Sequence, residues 1–292
     1  MSIIKSLSVG HGDMFYIKHN SDNFTIIDCC MDGANRNRIT SEIIAQKSGK
    51  GITRFISTHP DEDHVKGLTF LDSDIDILNF YCVKNEATKH DPSTDFIKSC
   101  ELRDSGKAFY LEKGCSRKWM NQKGDGRGSA GINILWPVLS NSAFKTALQT
   151  AKSGGRLNNI SPIIKYSLTD GARVLWLGDL ETEFLIAIEP DLDLPQVDIL
   201  FAPHHGRDSG KIPEEYLQIL DPKIIIIGEA ASEHLNYYQG YNTITQNSAG
   251  DITFDCGSGE VDIYVSNRDY SVDFLADEYK NAFNYYIGTL NL

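Results

Sequence analysis

The chain has 292 residues and a mass of 32.6 kDa, enough to bury a substantial core. Its 28 basic and 40 acidic side chains leave a net charge of −12, which argues against non-specific binding of a nucleic-acid duplex through a broad basic face. No apolar run approaches the roughly 18 residues of a membrane span, and six scattered cysteines (29, 30, 82, 100, 115 and 256) make neither a disulfide framework nor a zinc knuckle, so reduced thiols and a cytoplasmic location are expected.

The chain starts in a strand-like pattern without the apolar stretch of a signal peptide. Ile3 to Val9 reads as a strand, Gly10-His11-Gly12-Asp13 as a turn, Met14 to Lys18 as a second strand and Phe24 to Cys29 as a third, buried one. Residues 36–48 carry Ile39, Ile43 and Ile44 at helical spacing and stop near Gly49. Ile52 to Thr58 is the next strand and runs into His59-Pro60-Asp61-Glu62-Asp63-His64, with a helix expected from about Val65. Residues 72–130 interrupt this rhythm and read as a variable insertion. Strand signals resume at Ile132 to Trp136, Ser161 to Leu168, Arg173 to Leu177, Val197 to Ala202 and Lys223 to Ile227, with helices at Glu181 to Ile188 and Pro213 to Leu220. Two late strands, Ile252 to Phe254 and Glu260 to Val265, precede an amphipathic stretch expected to form a helical extension over 273–292. With no low-complexity linker, the pattern predicts one domain over 1–292, an α/β chain whose sheets are covered by helices.

Five polar clusters share a placement at the ends of apolar strands. Asp28 follows Phe24 to Ile27, His59 follows Arg54 to Thr58, and Asp179 follows Val174 to Gly178. His204-His205 follows Ile199 to Pro203, and His234 comes six residues after Gly228, at the end of the Ile224 strand. Such ends are where helix-covered sheets build sites. Imidazoles and carboxylates crowded there call for a cation, because adjacent carboxylates ionise together only when one is present. In an extended segment His59 and Asp61 point the same way, and Asp63 and His64 fall on the opening turn of the following helix. That arrangement suits two metals about 3.5–4 Å apart, with Asp179 as the bridging carboxylate. The bland alternative, a charged turn that merely caps a helix, loses weight once Asp179, His204-His205 and His234 follow in order. Lys113, Arg117, Lys118, Lys123 and Arg127 form the one basic patch found in this acidic chain.

The His-x-Asp-x-Asp-His segment resembles the signature loop of metallo-β-lactamase-fold hydrolases, in the variant with Asp61 at the usual second His. The likeness is greatest to the hydrolase domain of ComEC-like proteins. It extends through Val9-Gly10-His11-Gly12-Asp13, Ile27-Asp28, Asn158-Asn159-Ile160-Ser161, Gly178-Asp179 and His204-His205-Gly206 followed by Ser209, from about residue 5 to 240. The chain departs from the family at Glu233-His234-Leu235, where Gly-His-Pro is usual, and at His11, where Gln is common. The resemblance implies an αββα sandwich and two divalent ions, zinc or manganese. One would take His59, Asp61 and Asp179 with Asn158 nearby; the other would take Asp63, His64, Asp179 and His234. It also implies that one of His204 and His205 is a ligand or contacts the scissile phosphate, with His204 near metal and His205 as proton donor the preferred of the two assignments, and that Asp13 and Asp28 orient ligands from behind.

The expected chemistry is hydrolysis by a hydroxide that the two ions activate, with Asp63 and His205 as catalytic residues. Aspartate-rich ligands harden the site towards phosphoryl oxygens, which favours a phosphodiesterase or nuclease with Arg117 and Lys118 on the substrate phosphates. Single-stranded nucleic acid, a nucleotide or a small phosphodiester are the expected substrates. A hydrolase of carbonyl substrates (lactone, thioester or β-lactam) and a catalytically inactive regulatory domain are the alternatives.

Overall fold

In the computed structural model, residues 1–230 and 236–292 are described; His234 therefore lies outside the described residues. The first sheet is built from β1 (Ser2–Ser6), β2 (Phe15–Lys18), β3 (Asn23–Ile27), β4 (Ile52–Ser57), β5 (Phe80–Cys82), β6 (Ala108–Tyr110), β13 (Ile252–Cys256), β14 (Glu260–Val265) and β15 (Tyr285–Asn291). Its order is β15-β14-β13-β1-β2-β3-β4-β5-β6. Pairing is antiparallel from β15 to β3 and parallel from β3 to β6. The second sheet holds β7 (Ile132–Trp136), β8 (Ile163–Ser167), β9 (Arg173–Trp176), β10 (Ile199–Phe201), β11 (Ile224–Ile227) and β12 (Thr243–Thr245), in the order β12-β11-β10-β9-β8-β7. There β9 to β12 are parallel, so the C-terminal ends of β9, β10 and β11 lie together.

Alternation along the strands divides the apolar residues among three cores. Between the sheets pack Ile4, Phe15, Ile17, Ile27 and Ile56 from one side and Ile164, Val174, Trp176, Phe201, Ile224 and Ile226 from the other. The opposite face of the second sheet sets Leu175, Leu200, Ile225 and Ile227 against α5 (Ser142–Lys152), α6 (Thr182–Ile188) and α7 (Glu214–Leu220). The outer face of the first sheet sets Tyr16, Phe24, Ile26, Phe55 and Phe80 against α1 (Arg36–Lys47) and α3 (Leu68–Ile75). Four layers result, helix, sheet, sheet, helix, which is the expected αββα sandwich. Ile224 to Ile227 is apolar throughout because that strand is buried on both faces. Among the described residues no helix is long and apolar enough to cross a membrane.

Two expectations are corrected. Residues 72–130 are not irregular: they supply β5 and β6, which extend the first sheet in parallel, and α4 (Thr94–Arg103). The strands escape notice because each has three residues, too few to show alternation. The 273–292 stretch is not helical either. It ends in β15, which pairs with β14, buries Leu290 between the sheets and sends the Thr289 hydroxyl to Asp262. Its apolar residues fit two periods, and pairing with the open edge of β14 selects the extended one.

Candidate metal centre

The site lies where the parallel strands of both sheets end. After β3, Asp28 takes a left-handed backbone (φ 56°) that turns the chain out of the sheet. Its carboxylate accepts from Thr58 N at 2.7 Å and Thr58 Oγ1 at 2.6 Å and meets His64 Nδ1 at 2.9 Å. After β4, the 59–64 segment enters the short helix α2 (Glu62–Val65), which places His64 fully inside. The turn at 10–13 docks on this segment through Asp13 N donating to Asp63 O at 3.1 Å. A side chain at Gly12 would strike Cys30 Sγ at 2.5 Å and Asp63 O at 2.6 Å, so only glycine permits that approach.

The second sheet contributes from the opposite side. Asp179 follows β9 and is buried, and His204-His205 follows β10 in a turn where both histidines are left-handed (φ 51° and 55°). Two successive left-handed non-glycine residues cost roughly 1–3 kcal/mol each. Here the strain is tolerated because the turn is fastened by His204 N donating to Gly178 O at 3.0 Å. The result is that His205 points inward, fully buried, while His204 stays at the rim with 15% of its side chain exposed.

Each of the four imidazoles is gripped at Nδ1 and presents Nε2 to the same carboxylate. His64 Nδ1 is held by Asp28, His205 Nδ1 by Asp13 at 3.1 Å, His204 Nδ1 by Ser209 Oγ at 2.7 Å, and His59 Nδ1 by Thr58 Oγ1 at 3.1 Å and Ser161 Oγ at 3.2 Å. His64 Nε2 lies 3.2 Å from Asp179 Oδ1, and the Nε2 atoms of His59, His204 and His205 each lie 3.8 Å from Asp179 Oδ2. Asp63 Oδ2 is 3.4 Å from His205 Nε2. Four of these converging atoms, Nε2 of His59, His64 and His205 and Oδ1 of Asp179, are buried without a hydrogen-bond partner. Orphaned buried polar atoms are costly, and several aimed at one point fit a cation that would satisfy them together. Donor atoms of Asp13, His64, Asp179 and His205 all fall within 4.8 Å of one another.

Without an ion, protons carry the positive charge. Burial works against a charged ring at His205, but Asp13 and Asp179 outweigh it and hold its pKa at about 10. Burial is likewise overcome at His64, where Asp179 and Asp28 raise the pKa well above the ordinary value. Asp179 is the reciprocal case: burial resists ionisation, yet the flanking His64 and His205 hold its carboxyl well below the usual range. Burial, together with the charged His64 beside it, lowers His59 to about 4, so this ring is neutral.

No family model matches the sequence, and no curated protein does. Among solved structures, the chain is similar to CmlA, a diiron β-hydroxylase from Streptomyces venezuelae, at 14% identity and a TM-score of 0.44; 77% of this chain and 44% of that one are covered. It is also similar to a Cronobacter sakazakii metallo-β-lactamase with a HARLDQ motif, at 14% identity and a TM-score of 0.35, covering 67% of this chain and 66% of that one. The chain thus spans less than half of the first and about two thirds of the second.

Of the residues singled out in the sequence, the structure gathers His59, Asp63, His64, Asp179, His204 and His205 around one point, with Asp13 and Asp28 on the Nδ1 sides of His205 and His64. Asp61 pairs with Lys89, 2.7 Å off. Asn158 contributes its carbonyl to Ser161 N, and it is Ser161, four residues into the same motif, that touches His59. Arg117 and Lys118 are not at this site. Their segment is tied to the other end of the sheets through Arg127 O, which accepts from Asp22 N and Asn23 Nδ2, and through Trp119 O, which accepts from Arg54 Nη2. Arg117 packs over the rings of Phe109 and Tyr81, and Lys118 pairs with Asp125 at 2.7 Å. Thr58 and Lys89 carry no signal of their own in the sequence, whereas Ser209 is marked there by its place after His204-His205-Gly206.

Proposed function

We propose that this chain is a metal-dependent hydrolase of phosphodiesters, related to ComEC-like hydrolase domains. The observation that carries this reading is the set of buried, unpartnered Nε2 and carboxylate atoms converging on Asp179. His64, Asp179 and His205, with Asp13 or Asp63, would hold an ion. Once bound, divalent metal would lower the pKa of water and neutralise charge that develops on the phosphoryl oxygens.

The chain's own residues divide the remaining work. Asp28 and Asp13 fix the ring orientation of His64 and His205 and leave Nε2 free to act as donor atom. His205 is too deeply buried to meet a substrate, so the two adjacent histidines exchange the roles first expected of them. His204, at the rim, has its pKa lowered by burial and is neutral at pH 7. In the tautomer in which the Ser209 hydroxyl, 2.7 Å away, donates to Nδ1, the ring proton sits at Nε2 and would be able to hydrogen-bond a substrate oxygen. Carboxylate donors in this number suit hard, oxygen-preferring ions and phosphoryl substrates, which supports phosphodiesters over carbonyl compounds.

Purified protein supplied with Mn²⁺ or Zn²⁺ should hydrolyse bis(p-nitrophenyl) phosphate, and Asp179→Asn and Asp63→Ala should each lower kcat by at least about a hundredfold. Wild-type protein that is inert on phosphodiesters but opens a lactone would move the reading to carbonyl substrates.

A further inference from the structure

The two sides of the centre are unequally equipped. On one side, Asp13, His64, Asp179 and His205 bring their donor atoms within 4.8 Å of one another. On the other side, among the described residues, His59 and His204 reach towards Asp179, each with Nε2 3.8 Å from Oδ2, and neither belongs to that close set. Asp61, the carboxylate that would complete a set with His59, is engaged elsewhere: Lys89 Nζ lies 2.7 Å from its Oδ1 and 3.7 Å from Glu62 Oε1.

Lys89 is not a stray surface lysine. It sits in the connection between β5 and α4, at the site end of the sheet, with its ammonium 5.3 Å from the centre of the Phe96 ring and only 21% of its side chain exposed. The same connection is pinned to α2 by Ser93 Oγ, which donates to Glu62 Oε1 at 2.7 Å. The ammonium is therefore held against the carboxylate that a cation bound by Asp61 would need, and two positive charges do not share it without cost.

We propose that the centre is asymmetric: it takes one divalent ion tightly at His64, Asp179 and His205 with Asp13 or Asp63, while Lys89 keeps a second position at His59 and Asp61 weak by competing for Asp61. This rests on the metal reading given above. Occupancy of the second position is then set by ion concentration, and Lys89 is a positioning residue that acts through Asp61.

Calorimetric titration of metal-free protein with Mn²⁺ alone, and separately with Zn²⁺ alone, tests it without reference to activity. Wild type is expected to show two steps, the second at least about tenfold weaker than the first. A partly exposed ion pair is modest in strength, so Lys89→Gln should tighten the second step by about three- to fivefold and leave the first within about twofold. Lys89→Met, which keeps the apolar stem on Phe96, should behave like Lys89→Gln, and Lys89→Arg should behave like wild type. Two equal steps in wild type, or a second step that neither Gln nor Met tightens, overturns the asymmetry while leaving the metal centre standing. Protein that binds no ion at all overturns both.

Discussion

His64 and His205 each carry a proton where an ion would sit, which would couple metal uptake to pH. With His205 held at about 10 and His64 raised by Asp179 and Asp28, both rings are charged in metal-free protein at neutral pH. An ion needs the neutral imidazole, so binding must expel those protons. Apparent affinity should therefore rise with pH from about 6 to 8, by about tenfold per unit for each proton displaced. Chelator-competition titrations with Mn²⁺ across that range, with His205→Gln alongside, check this. Wild type is expected to show the steeper profile, and a flat one would mean that the two rings are not donors. Much of this was legible beforehand, because His59, Asp63, His64, Asp179 and His204-His205 declare themselves by residue type and by their place after apolar strands. What was not legible is which nitrogen each ring commits and to whom. Thr58 is a small hydroxyl residue with no pattern of its own, Ser161 shows only as the end of Asn158-Asn159-Ile160-Ser161, and Lys89 lies 28 residues beyond Asp61, in a segment without periodicity.

The elements that matter most for the site are short and irregular. The turn after β9 depends on Gly178, which has φ +54°, and a side chain there would meet Ser161 Cβ at 2.6 Å, Ser161 Oγ at 2.8 Å and Thr58 Cβ at 3.3 Å. Those are the two hydroxyl residues that hold His59 Nδ1. Gly178→Ala should thus destabilise the fold by about 1–3 kcal/mol, from the strained backbone and the displaced neighbours. It should also weaken metal binding more than an Ala substitution at Gly33, where a Cβ would meet nothing within 4 Å. Thermal melts and metal titrations of the two variants decide the matter; equal behaviour would show that the close approach at Gly178 is unimportant. The basic segment at 113–127 teaches the opposite lesson about elements. Charge composition drew Arg117 and Lys118 towards a phosphate, but β3 and β4 fix direction: Asn23 and Arg54 lie at one end of these strands, Asp28 and His59 at the other. A segment hydrogen-bonded to the first pair does not serve the second.

At the scale of the molecule, the two sheets act as opposed halves of one centre. The first delivers Asp13, Asp28, His59, Asp63 and His64, the second Asp179, His204 and His205, and the interleaved core of Phe15, Trp176 and Phe201 sits beneath them. Sequence patterning gave the layers because long buried strands such as Ile224 to Ile227 are unambiguous. It did not give β5, β6 or β15, whose identity depends on an edge offered by a strand elsewhere in the chain. The central claim is that these halves meet around a metal ion, and anomalous diffraction from crystals soaked in Mn²⁺ tests it most directly. The account predicts a peak bounded by His64, Asp179 and His205, weakened or lost in Asp179→Asn. A centre that stays without a peak while manganese binds elsewhere on the molecule would contradict it.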